Sequence, residues 1–332
     1  MAKTVNDAFA EFMRDVVNLD PDVVAEARKS RDNLLENIKE FSSSEGFFNL
    51  CSAYNFHMGS FARKTKCREL DDIDLLIGIS ADGAIYYSDD PWDNVRIFSN
   101  KSITAQSNCT RDNGTLNSTQ VSNLFKKKLE NVREYSRSEI RRNGEAVVLN
   151  LISKDWSFDI VPCFYTTPEC DGRSYYLIPN GDGNWKKTAP DVDQAHVLST
   201  NQKKEGRVLP LVRLCKRWNK SKNAKTIPSY MLETMVIDFA DSSQSINQYI
   251  DLNFREALKY IADHIMGPVY DMKKIQGNIN TLSYEDKRTL HSKANSDYEA
   301  ARKAWMYEQA GDHKQAILKW GEILGKDFPE YG

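Results

Sequence analysis

The sequence predicts an α+β fold: a core of mixed strands and helices followed by an almost wholly helical region. Three observations carry that expectation. Apolar segments with the two-residue period of strands lie between residues 54 and 164. Beyond residue 200 the apolar positions take helical spacing, as Leu211, Leu214, Cys215 and Trp218 do. The 332 residues are enough for one large or two smaller domains. The change of pattern divides them into a core over residues 1–200, with a helix at its N-terminal end, and a helical domain over 201–332.

Each element has its own warrant. Residues 5–41 are helical in pattern, and Asp20-Pro21 breaks them into a short and a longer helix. Tyr54, Phe56 and Met58 alternate with Asn55 and His57, a half-buried strand that ends at Gly59. A second strand covers residues 72–79 and is apolar after Asp74. Residues 81–116 are rich in Asp, Asn, Ser and Gly and read mostly as loop. Asn117-Ser118-Thr119 offers a cap for a helix through Phe125, Leu129 and Val132. Residues 146–152 and 156–164 are apolar strands around a short polar turn, a hairpin signal. Residues 168–200 are rich in turn formers, and helical patterns follow near 229–241, 252–265, 284–309 and 312–324.

Composition excludes several classes. A formal net charge of −2 gives no global basic field for long nucleic acid. No apolar run approaches the roughly 20 residues of a membrane span, and the first twelve residues lack a signal-peptide core. The six cysteines form no CxxC pair, so neither a zinc cluster nor a disulfide framework is expected. Cys163 and Cys215 lie in apolar stretches and read as buried small hydrophobes. The expected setting is the reducing cytoplasm.

The chemistry concentrates in Gly59-Ser60 and, eleven residues later, Asp72-Ile73-Asp74. Two residues apart on a strand, Asp72 and Asp74 face the same way. Carboxylates that close repel, and a divalent cation between them relieves the repulsion. Asp71 faces away and reads as a solvated residue at the start of the strand. Gly59-Ser60 supplies backbone N–H groups and a hydroxyl suited to a nucleotide phosphate. Asp159 is a lone polar residue between Phe158 and Ile160, expensive to bury unless something satisfies it. If its strand lies beside the first, three carboxylates converge as a ligand set for two Mg²⁺ ions.

The pattern GS-x11-DIDLL followed by FDIVP resembles the catalytic signature of polymerase-β-type nucleotidyltransferases. GSFARKT, LDDIDLLIGI, IPNGDGNWKKTAP, LVRLCKRWN, IPSYMLETMV and WGEILGKDFP narrow the resemblance to the CD-NTases. These are the bacterial relatives of cyclic GMP-AMP synthase and oligoadenylate synthetase. The resemblance implies a bilobed enzyme with its active site in the cleft, joining nucleoside triphosphates, ATP among them, into a cyclic di- or trinucleotide. It implies two Mg²⁺ ions, replaceable by Mn²⁺, held by Asp72, Asp74 and Asp159, with Asp159 also activating the attacking hydroxyl. Ser60, Lys216 and Ser229 would contact phosphates, and Tyr230 would stack on the donor base.

Plainer readings stand beside these roles: a solvated helix face for Lys216, an N-cap for Ser229 and a core position for Tyr230. No counterpart of the animal DNA sensor's His/Cys zinc thumb is present, so no double-stranded DNA requirement is expected. Lys126-Lys127-Lys128 and Arg141-Arg142 read as solvated charge rather than as a basic patch. The resemblance further implies anti-phage signalling, and a ubiquitin-activating-like partner that would conjugate Gly332 on a mobile tail. Base choice is expected in residues 178–190, where Asn180, Asn184 and Thr188 are the polar candidates. Linear products, or nucleotide transfer onto a protein or tRNA, are the competing enzymatic readings.

Overall fold

The computed structural model describes residues 2–221 and 225–332. The chain forms two compact units that are not successive halves of the sequence. One comprises residues Met1–Asp20, Arg63–Glu69 and Ala195–Gly332; the other comprises Pro21–Ala62 and Leu70–Gln194. The expected boundary at 200 falls near the last crossing, but the first twenty residues cluster with the helical unit.

The sheet unit starts at α2 (Pro21–Lys39), after α1 (Val5–Phe12) and a wider π-type turn (Met13–Val17) of the helical unit. Its strands and helices run β1 (Phe56–Met58), α3 (Gly59–Ala62), β2 (Asp72–Gly78), β3 (Ile85–Tyr86), β4 (Ile97–Phe98), α4 (Thr104–Asn108), α5 (Ser118–Glu130), β5 (Glu139–Asn143), β6 (Ala146–Asn150), β7 (Ser157–Tyr165), β8 (Tyr176–Pro179) and β9 (Trp185–Thr188). The main sheet has the order β1-β2-β7-β6-β5, and β8 joins β7 and pairs with β9. Only β2 and β7 run parallel, which requires the long crossover between them. Leu76, Val161, Cys163, Tyr176 and Ile178 pack one face of this sheet. Gly78 lets the backbone of residues 51–54 lie close: a Cβ there would sit 2.5 Å from the Cys51 carbonyl oxygen.

The cap at Asn117 forms as expected, its side chain accepting from the Thr119 N–H at 3.0 Å. The expected hairpin of β6 and β7 forms as an antiparallel pair. Five strands lie in stretches without a strand signal, among them the two-residue β3 and β4 within residues 81–116. β5 is exposed along most of its length, so it carries no apolar alternation. β8 and β9 lie in the turn-rich stretch, where Asn180 accepts from the Asp182 and Asn184 N–H groups and closes the turn.

The helical unit contains α6 (Pro190–Lys203) from Ala195 on, α7 (Val208–Lys220), α8 (Ser229–Ser242), α9 (Ile250–His264), α10 (Tyr284–Gln309) and α11 (His313–Leu324). Its core includes Leu211, Leu214, Trp218, Met235, Phe254 and Trp320, together with Phe9 and Phe12 of α1. The Phe9 ring meets Trp320 edge-on at 4.9 Å and Phe328 at 5.1 Å, which ties α1 into this unit. No helix of the described residues is long and apolar enough to cross a membrane. The last residues are not the expected mobile tail. The Ala2 N–H donates to the Glu330 carbonyl at 3.1 Å and the Gly332 N–H donates to Ala2 at 3.2 Å, leaving Tyr331 and Gly332 exposed but bridged.

Candidate active site

β2 and β7 pair in parallel with Asp74 opposite Asp159 and Asp72 opposite Ser157. Side chains of directly paired residues share a face, and Asp72 is two residues before Asp74. All three carboxylates therefore lie on one face at the N-terminal ends of neighbouring strands. The residues between them point the other way: Ile73, Phe158 and Ile160 are buried. The face that carries the carboxylates turns apolar further along the strands, where Leu76, Val161 and Cys163 are buried.

Gly59 brings the phosphate-type turn onto this face. Its φ is +75°, and a Cβ there would lie 1.7 Å from Asp74 Oδ2. Only glycine allows that approach, because any side chain would occupy the space of the carboxylate. The Gly-Ser step and the Asp-x-Asp pair, eleven residues apart in sequence, thus meet at one point. Among the described residues no group of three or more His, Cys, Asp or Glu could hold a metal ion as it stands. The donor chemistry nonetheless suits Mg²⁺, a hard cation commonly bound by one or two carboxylates plus substrate phosphates.

In the helical unit the structure revises three readings. Lys216 is on neither a solvated nor an open face; it is buried on α7. Its ammonium donates to Glu233 Oε2 at 2.6 Å and to Thr65 Oγ1 at 3.4 Å. Ser229 is the first residue of α8, exposed, and the cap position belongs to Pro228, which makes no side-chain cap bond. The N-cap reading of Ser229 therefore does not hold. Tyr230 is half-buried against the core, donates to Asp271 Oδ1 at 2.8 Å and has the Lys273 ammonium 4.1 Å from its ring centroid.

Sequence reasoning missed the groups around Lys216. Glu233 is fully buried and also accepts from Arg63 Nε at 2.6 Å and from the Thr65 hydroxyl at 2.9 Å. Burial alone would push the Glu233 carboxyl up, but Lys216 and Arg63 outweigh it and hold the group at about 2. Burial pushes the Lys216 ammonium down, and Glu233 opposes that. The signal was available: Glu233 is the one charged residue in the apolar run Tyr230–Val236, the same anomaly that marked Asp159.

The 178–190 segment also differs from expectation. β8 pairs with β7 at Phe164 and Tyr165, five or more residues beyond Asp159. At about 3.3 Å per residue this places the hairpin roughly 17 Å along the strand from the carboxylates. Asn180 closes its own turn, and Asn184 Oδ1 accepts from Arg111 at 2.6 Å while its amide donates to Asn94 at 2.8 Å. These amides hold the hairpin together and are not open to read a base edge.

A mixed sheet with paired carboxylates at the start of its parallel strands, together with a helical domain, defines a polymerase-β-type nucleotidyltransferase. No family model matches the chain. It is 39% identical over 335 residues to a probable cyclic nucleotide synthase of Bacillus cereus, covering 100% of this chain and 99% of that protein. A cyclic AMP-AMP-AMP synthase of an Acinetobacter species is 24% identical over 190 residues, 54% of this chain and 53% of that protein. Among solved structures, Escherichia coli MS115-1 CdnC with ATP superposes with a TM-score of 0.71 at 16% identity, covering 98% of each chain. Vibrio cholerae DncV, a cyclic AMP-GMP synthase, gives 0.59 at 12% identity over 83% of this chain and 70% of that one. The chain belongs to the bacterial CD-NTases, the nucleotidyltransferases related to cyclic GMP-AMP synthase and oligoadenylate synthetase.

Proposed function

We propose that this protein joins nucleoside triphosphates without a template, releasing pyrophosphate and closing the product into a cyclic di- or trinucleotide. The observation that carries the reading is the placement of Asp74 opposite Asp159 with Gly59 packed on the Asp74 carboxylate. The full-length likeness to a probable cyclic nucleotide synthase supports the same chemistry.

In this reading Asp72, Asp74 and Asp159 are the residues that would hold Mg²⁺, or Mn²⁺ in its place. When bound, the ions supply charge neutralisation on the triphosphate and a more acidic attacking hydroxyl. Asp159 orients that ribose hydroxyl and accepts its proton. Gly59 and Ser60 hold phosphate oxygens through backbone N–H groups and the Ser60 hydroxyl. The resemblance gives Lys216 and Ser229 phosphate contacts and Tyr230 the donor base to stack on. ATP is among the substrates, and the product serves anti-phage signalling in the cytoplasm.

The test is incubation of the purified protein with Mg²⁺ and labelled ATP, GTP, CTP and UTP, singly and mixed. A small, phosphatase-resistant product supports the proposal, and phosphatase-sensitive oligomers would make it a linear synthase. Label on a macromolecule would make it a transferase to protein or tRNA, and no product in any mixture would refute catalysis.

A further inference from the structure

The helical unit contains a buried ionic knot that links two separate stretches of chain. Arg63 and Thr65 follow α3, while Lys216 and Glu233 lie on α7 and α8. Arg63 and Lys216 are 7% and 5% exposed, and Thr65 and Glu233 are fully buried. Glu233 divides its two oxygens between them: Oε1 takes Arg63 Nε at 2.6 Å, and Oε2 takes Lys216 at 2.6 Å and Thr65 at 2.9 Å.

We propose that Glu233 is the positioning residue for Lys216, fixing its ammonium in place and keeping it charged for the triphosphate. This rests on the reading of Lys216 as a triphosphate contact. A lysine amine taken out of water sheds its proton unless an anion faces it. Among the described residues, the charged or titratable groups that act on it are Glu233, which favours the ammonium; Arg63, which opposes it; and Cys67, which favours it weakly. Glu233 is the only carboxylate among them, and it grips the ammonium directly. Thr65 fixes the direction of the ammonium through its hydroxyl.

An isosteric Glu233→Gln change keeps the volume and removes the charge. Lys216 then keeps the penalty of burial and the repulsion of Arg63 without its counter-ion, so its proton is lost at a lower pH. Arg63 stays charged throughout, and replacing Lys216 by arginine separates its protonation from that of Cys67. A charge-assisted phosphate contact is lost when the amine is neutral, an effect of about 10- to 100-fold.

The experiment measures initial rates of product formation against pH from 6 to 9 for the full chain with Mg²⁺. Each variant is expressed as a ratio to the wild type, and thermal melting at each pH checks folding. Glu233→Gln should fall increasingly below the wild type as pH rises from 6 to 9, by up to about 10- to 100-fold where the amine is neutral. Glu233→Gln with Lys216→Arg should show a ratio independent of pH, since a guanidinium keeps its proton without Glu233. A ratio for Glu233→Gln that is flat with pH, or a double variant as pH-dependent as the single one, overturns the inference.

Lys216→Met separates this from the premise. If that variant retains the wild-type rate and KM, Lys216 does not contact the triphosphate, and the premise fails along with the inference. A defective Lys216→Met beside a pH-independent Glu233→Gln leaves the premise intact and overturns the role of Glu233 alone.

Discussion

Gly59→Ala offers the sharpest test of the site, because one added carbon meets the atom on which the proposed chemistry depends. The new Cβ would fall 1.7 Å from Asp74 Oδ2 and 2.6 Å from its carboxyl carbon, whereas real Cβ contacts essentially never come below 3.0 Å. The Asp74 carboxylate must retreat by more than about 1 Å, or the turn must open by the same amount. Misplacing a reacting or ligand group by about 1 Å costs on the order of 100-fold in rate. The φ of +75° adds a backbone penalty of roughly 1–2 kcal/mol for alanine. That is a modest loss of stability beside a severe loss of activity. The assay pairs initial rates of product formation over a Mg²⁺ titration with thermal melting. The expected result is a fall of about 100-fold or more, with the melting point lowered by a few degrees. A variant within threefold of the wild-type rate would show that Gly59 and Asp74 are not apposed in the working enzyme, and the assignment of the site would fall with it.

Other consequences can be measured directly. Asp72→Asn with Asp74→Asn should abolish product formation while thermal melting still shows a folded protein; synthesis at any comparable rate in that variant would refute the metal assignment. Glu233 has a carboxyl held at about 2, below the ordinary 4.5, so its stabilisation is fully present above about pH 4.5 and lost as pH falls through about 2. Urea midpoints should accordingly fall on acidification below pH 4.5, and less steeply in Glu233→Gln than in the wild type. Glu233→Ala, which strands two buried cations, should lose about 3–5 kcal/mol at neutral pH, read from the same unfolding curves. Burial pushes the thiols of Cys163 and Cys215 well above their ordinary range, while Cys170 is exposed. A thiol reagent should thus label Cys170 quickly in the native protein and reach Cys163 and Cys215 only on unfolding; rapid native labelling of Cys215 would contradict the α7 packing.

What the sequence made legible is what local patterning can encode. The strand face bearing Asp72, Asp74 and Asp159 could be read because a two-residue period and a single polar interruption both leave marks in the text. The helices could be read because apolar spacing persists over many turns. β5, β8 and β9 could not, since exposed strands and short hairpins are stabilised by partners that lie elsewhere in the chain. Asn180 and Asn184 show the same limit at the level of single residues. A polar side chain in a loop looks available for recognition, yet the turn and Arg111 had already engaged both of them.

Lys216 is the most instructive case: the plainer reading put it on a solvated helix face, and the structure buries it on α7. The decisive residue was seventeen positions away, and it carried its own mark: a carboxylate in an apolar run. The rule that singled out Asp159, applied evenly along the chain, would also have singled out Glu233. The two carboxylates differ in what surrounds them. Asp159 is half-buried and shares its strand face with Asp72 and Asp74. Glu233 is fully buried and faces two cations of the protein itself, Arg63 and Lys216. An acid in an apolar segment thus marks a position that some other group must satisfy, and the neighbours that the fold brings to it, not the segment, decide which group that is.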